Sequence, residues 1–183
     1  MNENYAQPDL QPGTEADIIR GCYKFNSYLY KSDKSQGPKT LQKITLMASG
    51  AILTEVIKAA QQLAEQGIEA TVYSVTSWSE LARDGAASQQ QTLAAVRPGL
   101  VQEAFITQQL RDSEGPIIAA TDYVRAVPES IRAFLPPDRS YLTLGTDGFG
   151  RSDTRAALRG FFGVDAASIV RAAQHQLDES LRA

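Results

Sequence analysis

The sequence predicts a doubly wound α/β domain with three layers, in which a sheet lies between two layers of helices. The first observation is that apolar strands and amphipathic helices alternate from Leu41 onward. The second is a helix predicted over 51–66, where apolar residues recur every three or four positions and Gly67 follows as a C-cap. The third is that extended segments flank this helix, at 41–48 and 68–75, which is typical of a right-handed βαβ unit.

The first forty residues are predicted to form an irregular lead, part of the same domain as the 41–183 core. Within this lead, the segment 14–17 caps a short turn that ends near Gly21. Residues 22–31 are rich in strand formers and predict a strand. The polar segment 31–40, which contains a Gly-Pro pair, predicts a surface turn.

Further elements continue the alternation to the end of the chain. Short buried strands are predicted at 116–120 and 141–144. The segment 78–94 predicts a loop plus a helix, interrupted at Asp84 and Gly85. Helical patterns mark four later stretches. The first two are residues 98–110 and residues 124–135, the second after a cap at Thr121 and Asp122. The third is a helix capped by Ser152 or Asp153 and ended by Gly163, and the fourth is a last helix that begins at 165–168.

Composition limits the possible classes of function. With 183 residues, 43% hydrophobic and 21% charged, the chain is an ordinary globular domain with a sizeable core. Its net charge of −3 argues against nucleic-acid binding, and no apolar run approaches the roughly 18 residues of a membrane span. The polar start at Met1 and the single cysteine, Cys22, indicate a cytoplasmic protein without a secretion signal or an internal disulfide.

Side chains suited to catalysis are scarce. His175 is the only histidine and the first candidate for a general base, but it lies opposite the apolar stripe of its helix and is expected to face solvent. One histidine and one cysteine exclude the common zinc sites, which need about three or four nitrogen or sulfur ligands. Cys22 is expected to be a buried, inert thiol. We therefore predict no catalytic, cofactor-binding or metal-binding residues for this chain alone.

The run 145–153 (GTDGFGRSD) follows a strand and opens a helix, the position at which open α/β sheets bind ligands. One interpretation is that backbone amides, with Arg151 and Arg155, hold an anion. The other is that the glycines only permit a tight turn, with Phe149 packed beneath it and two aspartates that repel anions. The predicted ligand crevice at this strand end consists of Asp122, Gly145, Asp147, Gly148, Gly150, Arg151 and Asp153.

Two other groups of side chains leave alternatives open. Asp122 and Asp147 each follow a strand, so they could bind a cation or an interface partner, although helix capping and turn stabilisation explain them more simply. An aromatic cluster in the first strand could stack on a ligand, but aromatic residues in a strand more often belong to the core or to a subunit contact. Its members are Tyr23, Phe25, Tyr28 and Tyr30.

Five segments, in order along the chain, resemble the homodimeric pyruvate dehydrogenase E1 component of bacterial 2-oxoacid dehydrogenase complexes. They are MNENY at 1–5, SVTS at 74–77, ELARDG at 80–85, TDY at 121–123 and GTDGFGRSD at 145–153. The resemblance runs from the first residue to near the last, and the segments at 80–85 and 145–153 are the specific ones. It is a resemblance to the last domain of that family, so Met1 is expected to be an internal methionine of a longer protein.

The resemblance implies a transketolase C-terminal type of fold, with a mixed, mostly parallel five-stranded sheet in which 22–31 is the antiparallel strand. It implies a parent enzyme that decarboxylates pyruvate through thiamine diphosphate and reductively acetylates lipoyl groups on its E2 partner. In the family, thiamine diphosphate and Mg²⁺ are held by the two preceding domains, across the dimer interface. The activating glutamate, the Gly-Asp-Gly magnesium motif and the active-site histidines have no counterparts in this sequence, so the chain alone is expected to be inactive.

The implied partners are the N-terminal and middle domains of the parent, a second copy in a homodimer, and the E2 acetyltransferase. The domain would contribute folding, dimer contacts and a docking or regulatory surface. Two other hypotheses stay open. One is a free-standing, non-catalytic binding or assembly domain of the same fold, and the other is one chain of a split transketolase-like enzyme.

Overall fold

The computed structural model describes residues 9–30, 41–95, 99, 101–180 and 182. Its strands are β1 (Cys22–Tyr28), β2 (Gln42–Ala48), β3 (Ile68–Val75), β4 (Ile117–Ala120) and β5 (Tyr141–Leu144). Its helices are α1 (Glu15–Ile19), α2 (Leu53–Glu65), α3 (Trp78–Ala94), α4 (Phe105–Gln109), α5 (Ala126–Glu129), α6 (Arg155–Phe162) and α7 (Ala166–Ser180). Short 3₁₀ turns lie at Gly50–Ile52 and Arg132–Phe134.

The five strands form one sheet in the order β1-β3-β2-β4-β5. β1 is antiparallel to β3, with Cys22 opposite Val75 and an irregularity between Lys24 and Asn26. The pairs β2–β3, β2–β4 and β4–β5 are parallel. The predicted mixed, mostly parallel sheet is therefore confirmed. Its antiparallel strand begins at the predicted residue and ends at Tyr28; Lys31, where the prediction ended, lies outside the described residues.

Apolar cores on both faces of the sheet confirm the three layers. Leu46 of β2 packs toward α2 and α7, whereas its neighbour Met47 belongs to the cluster with α3 and α4, because successive strand side chains point to opposite faces. The first core includes Val56, Leu63, Ile169 and Ala173, and the second includes Trp78, Leu81, Phe105 and Ile131. The short central strand β4 is buried along its whole length, which explains its run of apolar residues.

The predicted break at Asp84 and Gly85 is wrong, because α3 runs without interruption from Trp78 to Ala94. Gly85 allows a close approach: an added Cβ would lie 2.3 Å from the ring of Phe134. Asp84 has a role beyond its own helix, since its Oδ2 accepts a hydrogen bond of 2.6 Å from the backbone N–H of Phe105. Both residues serve contacts between elements that are distant in sequence.

Two predicted helices are much shorter in the structure. Among its described residues, the stretch 98–110 contains only α4, which begins after the extended residue Ala104; Pro98 and Leu100 lie outside the described residues. The stretch 124–135 contains only α5 and a 3₁₀ turn. Pro128, which has no N–H to donate, lies inside α5 and limits regular helical bonding there.

The two isolated reactive side chains lie where the sequence predicted. Cys22 is fully buried, and burial raises the pKa of its thiol, with the charge of Asp17 as a lesser cause. His175 is exposed on α7, and its Nδ1 lies 3.5 Å from Oε2 of Glu179.

Among the described residues, no helix combines the length and the apolar character that crossing a membrane requires.

Gly85→Ala is expected to destabilise the domain by about 1–2 kcal/mol, because overpacking against Phe134 outweighs the roughly 1 kcal/mol gained in helix propensity. Urea unfolding of the purified chain measures the effect. Gly160→Ala is the matched control, since the nearest atom to its added Cβ is Oδ2 of Asp165 at 3.8 Å, so this variant should be neutral or stabilised. Adding Phe134→Leu should recover part of the loss, and an unchanged stability of Gly85→Ala would contradict the proposed close contact.

Candidate functional site

The loops that follow β4 and β5 are tied together at the carboxyl edge of the sheet. Thr146 donates hydrogen bonds to two carbonyls of the neighbouring loop, from its N–H to Tyr123 O (2.9 Å) and from its Oγ1 to Asp122 O (2.7 Å). Gly145 is buried at this junction, and an added Cβ would lie 2.7 Å from Tyr123 O. The Ser49 and Thr121 hydroxyls, which lie 2.7 Å apart, connect the end of β2 with the end of β4. We call these hydrogen-bonded strand ends the loop junction.

A crevice of about 550 Å³ opens beside the loop junction. We call it the arginine crevice, because Arg151, Arg155 and Arg159 all line it. Its other polar lining comes from Asp122, Thr146, Gly148 and Gly150, and its apolar lining from Ala51, Ile52, Leu158, Phe162 and Val164. Basic and apolar side chains thus line the same opening, at the strand end where α/β sheets bind ligands.

Helix α6 carries Arg155 and Arg159 and is capped by Thr154, whose Oγ1 accepts a hydrogen bond of 3.3 Å from the N–H of Ala157. The cap predicted at Ser152 or Asp153 is therefore one or two residues too early. Asp153 instead accepts a 2.7 Å bond from the N–H of Thr154. Gly163, with φ of 70°, ends the helix as predicted.

A buried carboxylate holds the wall of the crevice in place. Glu55 of α2 is only 7% exposed and accepts hydrogen bonds from Lys58 Nζ (3.0 Å), Arg159 Nη1 (3.1 Å) and the N–H of Ala166 (3.1 Å). These bonds connect α2 with α6 and with the beginning of α7. Arg151 is placed differently, with its guanidinium carbon 3.9 Å from the centre of the Phe161 ring, within range of a cation–π contact.

The seven predicted crevice residues divide into two groups. Asp122, Gly148, Gly150 and Arg151 line the arginine crevice. The other three do not: Gly145 is buried in the loop junction, Asp147 Oδ1 accepts a 2.8 Å bond from the N–H of Arg125, and Asp153 binds the N–H of Thr154. The carboxylates that were expected to repel an anion are thus partly engaged elsewhere.

Phe149 does not lie beneath the glycine loop, as the structural interpretation required; it is 96% exposed. That part of the prediction is wrong, because the neighbouring Gly148 has φ of 99° and the loop projects into solvent. The sequence reasoning also missed Arg159. The spacing of the arginines could have indicated it as a site residue. Arg151, Arg155 and Arg159 recur every four residues, and the last two lie on one face of α6.

A second and larger opening of about 1180 Å³ lies across the same sheet edge. We call it the aromatic groove, since it is lined by Tyr23 and Phe25 of β1, Trp78 of α3 and Tyr123 after β4. Phe25 and Tyr28 also pack against the core, as the simpler interpretation of the aromatic cluster expected. Trp78 Nε1 is buried and has no hydrogen-bond partner among the described residues.

The residues present do not fit a thiamine diphosphate–Mg²⁺ site. Mg²⁺ prefers oxygen ligands and commonly uses carboxylates, but the described residues contain no group of three or more His, Cys, Asp or Glu side chains placed to hold a metal. Among the described residues that line the arginine crevice, Asp122 is the one carboxylate. No step through the cofactor is derived for this chain.

A mixed five-stranded sheet with helices on both faces and loops open at its carboxyl edge defines a three-layer α/β domain of the doubly wound class. A family model described as the transketolase-like TK C-terminal domain matches residues 28–165. The chain belongs to this family.

Full-length relatives place the similarity in the C-terminal region of larger proteins. The chain is 42% identical over 175 residues to the pyruvate dehydrogenase E1 component of Cupriavidus necator, covering 94% of this chain and 18% of that protein. It is 40% identical over 179 residues to the protein of the same name from Escherichia coli K12, covering 97% of this chain and 19% of that protein. The chain thus spans about a fifth of the length of these relatives.

A solved transketolase from Leishmania mexicana has the same fold. The TM-score is 0.55 at 19% identity, over 92% of this chain and 20% of that one. At this identity the likeness supports the fold alone, and it agrees with the transketolase C-terminal type of sheet that the sequence predicted.

Glu55→Gln is expected to lower the free energy of unfolding by about 2 kcal/mol, because the amide cannot satisfy the partly buried guanidinium of Arg159 and the Ala166 N–H together. Urea unfolding measures the loss. Glu65→Gln, an exposed carboxylate on the same helix, is the control and should change stability by less than about 0.5 kcal/mol. Equal stabilities of the two variants would show that Glu55 does not hold the crevice wall.

Proposed function

We propose that this chain is the C-terminal domain of a pyruvate dehydrogenase E1 component, with a structural and dimerisation role and no catalytic activity alone. The observation that carries the proposal is the identity of 40–42% to E1 components over 94–97% of the chain. The family match to the transketolase-like C-terminal domain supports it. The assignment follows from the extent of this similarity, and not from a catalytic group in the described residues.

The proposed parent is an oxidoreductase of the cytoplasm. It decarboxylates pyruvate with thiamine diphosphate and Mg²⁺, held by its N-terminal and middle domains, and reductively acetylates the lipoyl groups of its E2 partner. The length of the matched relatives, about five times that of the chain, supports this division of labour.

Exposed apolar side chains at the carboxyl edge of the sheet support a contact with the rest of the parent dimer. Tyr123 is 58% exposed, Val124 is 48% exposed and Phe149 is 96% exposed. All three lie in the loops at the carboxyl edge of the sheet. Large apolar side chains exposed at one edge of a domain are typical of protein interfaces.

The alternatives differ in what accompanies the chain. A free-standing, non-catalytic binding or assembly domain would have no thiamine diphosphate-binding partner. A split transketolase-like enzyme would have its catalytic domains on a separate gene. The length of the relatives favours the single long parent over both.

The length of the native protein tests the proposal. An antibody against this chain should detect, in a lysate of the source cells, a band about five times the 19.9 kDa of the chain, because the chain covers 18–19% of its relatives. Preadsorbing the antibody with the purified chain is the control. A band near 19.9 kDa would rule out the single long parent, and co-purification would then separate a split enzyme from a free-standing domain.

Phe149→Ser is expected to leave the stability of the isolated chain within about 0.5 kcal/mol, because the side chain makes little contact there. In the full-length parent, the same change should weaken the dimer and reduce pyruvate-dependent activity at low protein concentration. Leu93→Ser, which is 82% exposed on α3, is the control and should affect neither. Sedimentation and activity measurements compare the two variants, and a parent unaffected by Phe149→Ser would refute the interface at this loop.

A further inference from the structure

We infer that Asp147 is a site of spontaneous covalent modification, at which the chain forms isoaspartate through a cyclic succinimide. The sequence contains two Asp-Gly pairs, at 84–85 and 147–148, and no Asn-Gly pair. Asp-Gly pairs are prone to this reaction because glycine has no Cβ to hinder attack by its backbone nitrogen. The structure places the two pairs in opposite surroundings, and only the second is free to react. The inference goes beyond the proposed function and does not depend on it.

The reaction joins the aspartate side chain to the next peptide nitrogen. The nitrogen of Gly148 forms a bond to Cγ of Asp147, and one Cγ–O bond breaks; the oxygen leaves as water, with the amide proton and one proton from the solvent. A second water then opens the ring. Its hydroxyl adds to the main-chain carbonyl carbon of Asp147, its hydrogen goes to the nitrogen, and the bond between these two atoms breaks. The new carboxyl group returns a proton to the solvent, so the product has the original mass and needs no oxidant or reductant.

The nitrogen of the 147–148 pair is accessible. Asp147 and Gly148 are both exposed, in the loop that follows β5. Within the described residues, the N–H of Gly148 donates no hydrogen bond. A backbone amide must lose its proton to attack a carboxyl carbon, and an N–H that is open to water loses its proton most readily. An added Cβ at Gly148 would meet nothing within 4 Å, so there is also space for the ring to close.

The carboxyl group that would be attacked is held by the neighbouring loop. Oδ1 of Asp147 accepts a 2.8 Å bond from the N–H of Arg125. The preceding residue, Thr146, is tied by its own N–H to Tyr123 O at 2.9 Å. The chain is thus fixed before the reacting bond and unbonded at the nitrogen after it. Rotation about the Cα–C bond of Asp147 can therefore bring the Gly148 nitrogen to Cγ while both contacts persist.

The fold protects the 84–85 pair from the same reaction. Both residues lie inside α3, where each N–H donates to the carbonyl four positions earlier. Gly85 is buried, and an added Cβ there would lie 2.3 Å from the ring of Phe134. The Asp84 carboxylate accepts a 2.6 Å bond from the N–H of Phe105. The helix would have to open locally before Gly85 could attack.

Modification at Asp147 would change the loop junction. In isoaspartate the main chain runs through Cβ and Cγ, so it is one carbon atom longer between Thr146 and Gly148. The Oδ1 atom that accepts from Arg125 becomes a main-chain carbonyl oxygen. The exposed Phe149, and the glycines that line the arginine crevice, would then take new positions relative to the sheet.

Ageing the purified chain in warm, neutral buffer tests the inference. Over several weeks the tryptic peptide 140–151 should split into two species of equal mass, and electron-transfer fragmentation should place isoaspartate at residue 147. In the folded chain, this site should react at least about tenfold faster than Asp84, because α3 must open first. In concentrated guanidinium chloride the two sites should react at similar rates. No isoaspartate at 147, equal rates in the folded chain, or a rate difference that persists in denaturant would each overturn the inference.

A matched variant checks the chemical route. Asp147→Glu keeps the charge, but its ring would have six members and closes far more slowly, so peptide 140–151 should remain a single species. The same split in this variant would overturn the succinimide mechanism. NMR of the aged wild-type chain gives a second readout, in which the amide signals of Arg125 and Phe149 should each become two while that of Phe105 stays single. Doubling at Phe105 and not at Arg125 would place the reaction at Asp84 and overturn the inference. These outcomes do not depend on the length of the native protein.

Discussion

The hydrogen bonds of Glu55 are the interaction on which the carboxyl edge of this domain depends. Helix α6 has no fully buried residue, so apolar burial alone does not set its position. Burying a carboxylate is costly unless its oxygens are satisfied, and here Arg159 and the first N–H of α7 satisfy them. One side chain of α2 therefore fixes α6, which carries Arg155 and Arg159, and the start of α7, which covers the first core.

At the opposite edge of the sheet, a partly buried arginine bonds several strands and loops together. Arg139 donates to Gly115 O (2.7 Å) and to Thr45 Oγ1 (2.6 Å), among other acceptors, and burial lowers the pKa of its guanidinium. Gly115 approaches β2 so closely that an added Cβ would lie 1.8 Å from Lys43 O. The amino edge is thus tightly bonded, whereas the carboxyl edge holds both large openings. This asymmetry directs any ligand or partner toward the loops after the parallel strands.

Periodicity in the sequence was sufficient to predict the fold, because the strands and α2 bury continuous apolar faces. The errors came from contacts between distant residues. Gly85 weakens a helix locally, yet it is required by the ring of Phe134, which lies 49 residues later. At the crevice, the sequence indicated the strand end and Arg151, but not the position of Phe149. Local spacing contains no information about whether a loop residue meets a core or solvent.

The exposed Phe149 and the arginine crevice lie on the same glycine loop but face different surroundings. Phe149 is not part of the crevice lining, whereas the guanidinium carbon of Arg151 lies 3.9 Å from the centre of the Phe161 ring. The same short loop thus exposes one apolar side chain to solvent while its glycines line the arginine crevice.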